Sequence, residues 1–225
     1  MGSSRLFEKV AIVGVGLIGG SLGLSISRKS LAGEILGIGR SRVALEMARE
    51  CGAVDDISLS YDPLPGCDLV IVATPVGSTL DILKDISPHL SPGTLVTDVG
   101  STKFEITGGS GELLPGNTVF IGGHPMAGSE KEGIMGADPF LFENALYVLT
   151  PTAGTPPHQL DRMVRLVEGM GARPIIMDPL EHDLSVAAVS HLPHLAAYVL
   201  VDELARRADR DIFFRHAASG FRDFT

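Results

Sequence analysis

Gly14-Val15-Gly16-Leu17-Ile18-Gly19 stands between a β-branched run at 9–13 (KVAIV) and a stretch of small and apolar residues at 17–29 that reads as a helix. Glycines at this spacing, directly after a strand and directly before a helix, form the fingerprint of a dinucleotide-binding turn. Gly14 permits the tight turn, Gly16 lets the backbone approach a pyrophosphate, and Gly19 lets helix and strand pack closely. The helix N-terminus, at Leu17 and Ile18, offers unpaired N–H groups to phosphate oxygens. The next apolar run, 34–38, is followed by Gly39-Arg40-Ser41-Arg42. A site for NAD usually has Asp or Glu at this strand end to grip the ribose 2′-hydroxyl. With Gly39 there, nothing repels a 2′-phosphate, and Arg40 with Ser41 can bind one, so the pattern favours NADP over NAD. The bland alternative has Arg40 stacking on the adenine and Arg42 as a solvated residue at a helix start.

Two further stretches carry groups that can move a proton. His124 lies in a glycine-flanked turn (GGHPMAGSE, 122–130) after a strand, and imidazole titrates near neutral pH. It is either a base or a histidine that caps a loop. Ser101, in TDVGSTK at 97–103, follows another buried run at the end where open α/β sheets place ligands. Its hydroxyl either fixes the imidazole tautomer or caps the helix that follows. Lys103 faces phosphate or substrate, or sits on the surface, the commoner fate of a lysine.

These groups need a scaffold, and the pattern around them supplies one. Apolar runs at 9–13, 34–38, 68–73 and 94–98 alternate with helical stretches at 17–29, 42–51 and 77–87. That alternation implies right-handed βαβ crossovers and a parallel sheet whose strands are buried on both faces. Later strands are expected at 118–122, 146–149 and 174–177, with an amphipathic helix near 156–170. The reading is an α/β fold, a Rossmann-type doubly wound, mainly parallel sheet over residues 1–178. From 179 to 225 the strand signal vanishes. A long helix at 184–207, interrupted or kinked near Pro193, and a second near 210–218 look like the start of an all-helical domain too small to bury its own core.

The bulk properties exclude several classes. Hydrophobic residues make up 44% and charged residues 20% of the 225, so a packed core follows and disorder does not. A formal net charge of −9 argues against a nucleic-acid partner. No apolar run approaches transmembrane length and no signal-peptide region precedes the first strand, so the chain reads as cytoplasmic with no membrane partner. Cys51 and Cys67 read as reduced thiols. His182, His191 and His194 do not converge on a metal. On one helix, nine positions turn His191 about 180° from His182 and twelve turn His194 about 120°.

Taken in order, GVGLIGGSLG, ATPV (73–76), TDVGSTK, GGHPMAGSE, LYVLTP (146–151), HD (182–183), SHLPH (190–194) and SGFRDFT (219–225) resemble the prephenate/arogenate dehydrogenase family over essentially the whole chain. GGHPMAGSE and SHLPH are the specific pieces; the glycine turn and ATPV are shared with many dehydrogenases. The resemblance implies oxidative decarboxylation of prephenate or arogenate in tyrosine biosynthesis, with hydride passing to NAD or NADP. It implies that His124 is the catalytic base and that Ser101 orients it close to the nicotinamide and the substrate. It also implies that His194 lines the substrate site, that Thr74 and Pro75 pass beside the cofactor, and that the chain forms a homodimer through the helical region. In the family an arginine that grips a substrate carboxylate follows the SGFRDFT-like segment. The sequence ends at Thr225, so a truncated form is expected. Two rivals stand beside this reading. One is a 3-hydroxyacid-type dehydrogenase, which would depend on a lysine in the helical region, where 180–225 has none. The other is a non-catalytic dinucleotide-binding sensor, which would not need His124 and Ser101 at two strand ends.

Overall fold

The computed structural model describes residues 5–207 and 209–222. Eight strands form one sheet in the order β3-β2-β1-β4-β5-β6-β7-β8. They are β1 (Phe7–Val13), β2 (Ala32–Ile38), β3 (Asp56–Ser58), β4 (Leu69–Val72), β5 (Leu95–Asp98), β6 (Val119–Pro125), β7 (Leu146–Thr150) and β8 (Arg173–Ile176). β6 and β7 run antiparallel, and the other neighbours run parallel. The first six strands follow the doubly wound order whose direction reverses between β1 and β4, the place where such sheets bind ligands.

The central strands read as unbroken apolar runs because both of their faces are covered. In β1, Val10 and Ile12 point to one side and Ala11 and Val13 to the other. The first side is covered by α1 (Leu17–Arg28), α2 (Arg42–Glu50) and α5 (Pro157–Gly169), through Leu22, Ile26, Leu45, Met163 and Leu166. The second is covered by α3 (Thr79–Ile86) and α4 (Phe104–Leu113), through Leu83, Ile86 and Ile106. This is the Rossmann-type sheet that the strand–helix alternation implies.

Three local readings are corrected or refined. β3 and α4 carry weak sequence signals: β3 is a three-residue edge strand, and α4 (FEITGGSGEL) holds three glycines. Each forms because tertiary contacts override propensity. β6 does not stop at Gly122 but continues through His124 to Pro125, because antiparallel pairing with β7 (Gly122 to Thr150, His124 to Val148) extends it. His124 therefore stands in a strand and not in a turn. Third, the interruption expected near Pro193 is a π turn that lies just before the proline. α6 (Pro179–Val186) passes through a π turn at Ala187–His191 into α7 (Leu192–Ala205). Proline has no N–H to offer the preceding turn, and the wider π loop just before it absorbs the mismatch.

The chain divides into two compact units, Met1–Leu180 and Glu181–Thr225. The second holds most of α6, all of α7, and the short α8 (Arg210–Arg215) and α9 (Ser219–Arg222). Residues 223–225 of the SGFRDFT stretch lie outside the described residues. The run Pro179–Ala205 is 27 residues of continuous helix, long and apolar enough to cross a bilayer by length and composition alone. That overturns the expectation that no stretch reaches such a length. Residues 184–201 contain no Asp, Glu, Lys or Arg, but Ser, His and Pro interrupt them, so no single apolar run stands out by eye.

Close packing of α1 against the sheet and the loop after α2 makes a sharp demand. A Cβ on Gly23 would stand 2.1 Å from the carbonyl oxygen of Ala53. Helix propensity favours alanine over glycine by about 1 kcal/mol, but a backbone carbonyl cannot step aside as a side chain can. We expect Gly23→Ala to lower unfolding stability by about 1–3 kcal/mol, read by urea denaturation; a neutral or stabilising result would contradict the packing described.

Candidate active site

The glycine turn is held at the switch point by the ends of its neighbours. Gly14 N–H donates to Ile38 O (2.8 Å), and Ala73 N–H donates to Val13 O (2.7 Å). Gly14 has φ +94°, and a Cβ there would meet Ala73 O at 2.7 Å, so the turn tolerates only glycine. A Cβ at Gly19 would lie 2.1 Å from Gly14 O, the close helix–turn approach expected of the third glycine. Gly16 differs: nothing lies within 4 Å of where its Cβ would be, and it begins α1 without a side-chain cap. The first-turn amides, with Leu17 and Ile18 behind them, are therefore open to an anion.

Gly14 and Gly16 line a cleft of about 650 Å³ together with Gly39, Arg40, Ser41, Thr74, Pro75 and Tyr61. These residues come from the ends of β1 and β2 and from the segments after β3 and β4. A long, open cleft with a glycine floor and a helix N-terminus suits a dinucleotide, so the residues present fit that group. Ser41 caps α2, its Oγ accepting from Ala44 N–H at 3.3 Å. Arg42 pairs with Glu46 along the helix (3.8 Å), whereas Arg40 is exposed and makes no ion pair among the described residues. Ser78 Oγ donates to Pro75 O (2.8 Å), fixing the segment that begins with Thr74.

Ser101 and His124 belong to adjacent parallel strands, Ser101 just past the carboxyl end of β5 and His124 at the carboxyl end of β6. Both are half-buried. Ser101 does not cap the next helix: α4 begins after Lys103, and no side chain caps it. Val76, next to Pro75, reaches within 3.1 Å of a Cβ built on Gly100, so the loop before Ser101 abuts the segment that lines the cleft. His194 lies on α7 in the second unit. His182, on α6, bonds Asp183 Oδ1 through Nδ1 at 2.7 Å.

Asp98 and Lys103 are the residues whose roles the sequence does not disclose. Lys103 is fully buried, not on the surface, and its Nζ donates to Asp98 Oδ2, also fully buried. The same carboxylate accepts from Gly100 N–H (2.9 Å) and from Gly123 N–H (3.1 Å). Tyr147 packs nearby, and burial together with the Asp98 charge pushes its phenol well above its ordinary value, so it is held protonated. One signal in the sequence pointed here: Asp98 ends an otherwise apolar buried strand, and a carboxylate in that position needs a cation.

A buried pair of this kind is costly to break from one side, because the remaining charge has neither water nor partner. We expect Lys103→Met to cost about 3–5 kcal/mol of stability, and replacing both partners by neutral residues to cost much less. Chemical denaturation of the two variants checks the ordering; equal losses would contradict it.

The sequence matches the nucleotide-binding domain of prephenate dehydrogenase over residues 22–176 and the prephenate dehydrogenase dimerization domain over 178–225. Curated relatives include the prephenate dehydrogenases of Lactococcus lactis subsp. cremoris (42% identity, 97% of this chain and 60% of the relative) and Bacillus subtilis strain 168 (37%, 99% and 61%). The chain thus spans about three fifths of the length of those two relatives. Among solved structures, it is similar to Synechocystis arogenate dehydrogenase (38% identity, TM-score 0.83, 96% of this chain and 77% of that one). It is also similar to the A. aeolicus prephenate dehydrogenase in complex with hydroxyphenyl propionate and NAD+ (34%, TM-score 0.88, 96% and 76%). An (S)-3-hydroxybutyryl-CoA dehydrogenase from Ralstonia eutropha shares the fold at 18% identity and TM-score 0.65, a likeness of fold alone. With its nucleotide-binding sheet and helical segment both matched, and the specific GGHPMAGSE and SHLPH stretches in their order, the chain belongs to the prephenate dehydrogenase family.

Proposed function

We propose that the chain oxidatively decarboxylates prephenate or arogenate, passing hydride to NADP or NAD, as a cytoplasmic step of tyrosine biosynthesis. The observation that carries this reading is the placement of His124 at the carboxyl end of β6 and of Ser101 just past that of the adjacent β5, on the sheet that also carries a glycine-floored cleft, in a member of this family. A sensor would need the cleft but not that placement. The 3-hydroxyacid alternative would depend on a lysine that residues 180–225 do not contain.

Gly14, Gly16 and Gly19 shape the floor that receives the pyrophosphate, the amides of Leu17 and Ile18 face it, and Thr74 and Pro75 flank the cofactor. When bound, the oxidised nicotinamide supplies the hydride acceptor. His124 takes the proton of the ring hydroxyl as the carbon that bears it loses hydride, which leaves a ketone in conjugation with the ring. The ring carboxylate then departs as carbon dioxide, and aromatisation draws the reaction forward. Ser101 holds the imidazole in the tautomer that presents a lone pair to the hydroxyl, and contacts the substrate. His194 binds the substrate from the helical region. We assign 1–178 to the dinucleotide-binding domain and 179–225 to the start of the substrate and dimerisation domain. The apolar run of α6 and α7 we assign to a partner copy and not to lipid: Leu192, Leu195, Tyr198 and Val199 are exposed, and residues 178–225 match a dimerization domain. Two free thiols, Cys51 and Cys67, suit a reducing compartment.

NADP is our choice over NAD. Arg40 is exposed at the mouth of the cleft with no carboxylate at the end of β2 to oppose a 2′-phosphate, and Ser41 stands next to it. The NAD+ bound to the A. aeolicus relative is the observation that favours the other cofactor.

Nicotinamide reduction followed by absorbance, with prephenate or arogenate paired with NAD or NADP, tests the activity. Turnover with at least one pairing is expected, and His124→Asn should cut kcat by about 10²–10⁴-fold while dinucleotide affinity stays within a few-fold. Turnover that survives this substitution would refute the assignment of His124. Arg40→Gln should weaken NADP binding by about 10–100-fold, the worth of a charge-assisted hydrogen bond, and leave NAD binding nearly unchanged. Equal losses for both cofactors would mean that Arg40 stacks on the adenine.

A further inference from the structure

Asp98 joins two backbone positions that the chemistry needs in register. Its Oδ2 accepts from Gly100 N–H, the residue before Ser101, and its Oδ1 accepts from Gly123 N–H, the residue before His124. One planar carboxylate therefore spans the gap between β5 and β6 at the level where the serine and histidine emerge. Nothing else fits between them. A Cβ at Gly100 would lie 2.9 Å from Asp98 Oδ2, and one at Gly123 would lie 2.6 Å from Asp98 O. A Cβ at Gly122 would lie 2.3 Å from Thr150 Oγ1 and 3.2 Å from the Lys103 stem. Lys103 supplies the charge that lets the carboxylate remain in a site without water.

We propose that Asp98, with Lys103 as its counter-ion, is a positioning residue that sets the spacing and orientation of Ser101 relative to His124 through the two glycine amides. This rests on the reading of His124 as the base. It touches neither substrate nor cofactor. Its effect belongs to kcat, because a small displacement of a proton acceptor from its near-attack geometry slows the chemical step without loosening the cleft.

The test is the double variant Asp98→Asn/Lys103→Met in the full chain. It removes both charges together, so no lone charge is left buried, but an amide cannot accept from both glycine N–H groups as the carboxylate does. The expected result is an unfolding midpoint near that of the parent, dinucleotide Kd and substrate KM within about threefold, and kcat lowered about 100-fold. A pair that served stability alone would leave kcat within a few-fold in the folded double variant, and that outcome overturns the proposal. His124→Asn assayed alongside separates the two readings. If it abolishes turnover while the double variant keeps kcat, only the positioning role falls; if it leaves turnover intact, or if the parent is silent with every pairing, the functional reading falls first. Should the double variant fail to fold, amide hydrogen exchange in the unaltered chain decides. Gly100 and Gly123 protected to the level of the β5 and β6 core amides supports the clamp, and exchange at the rate of an open loop overturns it.

Discussion

A carboxylate and an ammonium group sit in the interior where β5 ends, and the architecture around the candidate active site follows from satisfying them. Asp98 and Lys103 are both fully buried. Burying either charge alone would be prohibitive, so each requires the other. The remaining acceptor capacity of the carboxylate is taken by the amides of Gly100 and Gly123. Those two bonds draw the loop after β5 and the end of β6 close together, and the space left at Gly100, Gly122 and Gly123 admits no side chain. The two glycines before His124 are thus a steric consequence of close packing, Gly122 against Thr150 and Gly123 against the Asp98 carbonyl, not a sign of looseness.

The second constraint lies two strands away, where the sheet order reverses between β1 and β4. There the glycine turn is squeezed from below by Ala73 and from the side by α1, while its upper surface at Gly16 is open. Tight packing underneath and vacant space above are two sides of one design: the backbone can come close to a ligand only where no Cβ intervenes. Val76 touches the loop at Gly100 and follows directly on the cleft-lining Thr74 and Pro75, which links the turn to the Asp98 site. The glycine turn and the positions of Ser101 and His124 are in this way carried by strand ends of one sheet, the kind of support that a functional site requires.

The second unit obeys different physics. α7 presents Leu192, Leu195, Tyr198 and Val199 to solvent, and the π turn before it carries Ser190 and His191. Exposed apolar surface of this kind is what protein interfaces are commonly built from. It is consistent with the match of this segment to a dimerization domain.

The strands buried on both faces were legible because burial on two sides leaves an unbroken apolar run, and the cofactor turn was legible because GxGxxG needs only its two flanking elements to be meaningful. The alternation with helices implied a mainly parallel sheet, whereas the order of its strands and the antiparallel β6–β7 pair came only from the structure. What resisted reading was whatever depended on a distant partner. β3 is three residues long and exists only because β2 lies beside it. His124 was read into a turn because its strand character comes from β7, more than twenty residues further along. Lysine is usually a surface residue, and although Asp98 at the end of a buried strand calls for a cation, nothing local says that Lys103 is the one that meets it. The continuity of the helix from Pro179 to Ala205 is hidden in the sequence by Ser, His and Pro, since a π turn that keeps a helix continuous past a proline has no sequence signature of its own. The sequence by itself thus determined the class of fold and the position of the glycine turn between strand and helix, both of which rest on short-range periodicity. Only the tertiary structure decided which buried charges pair and which backbone amides they hold, because those depend on electrostatic satisfaction between segments that the chain keeps apart.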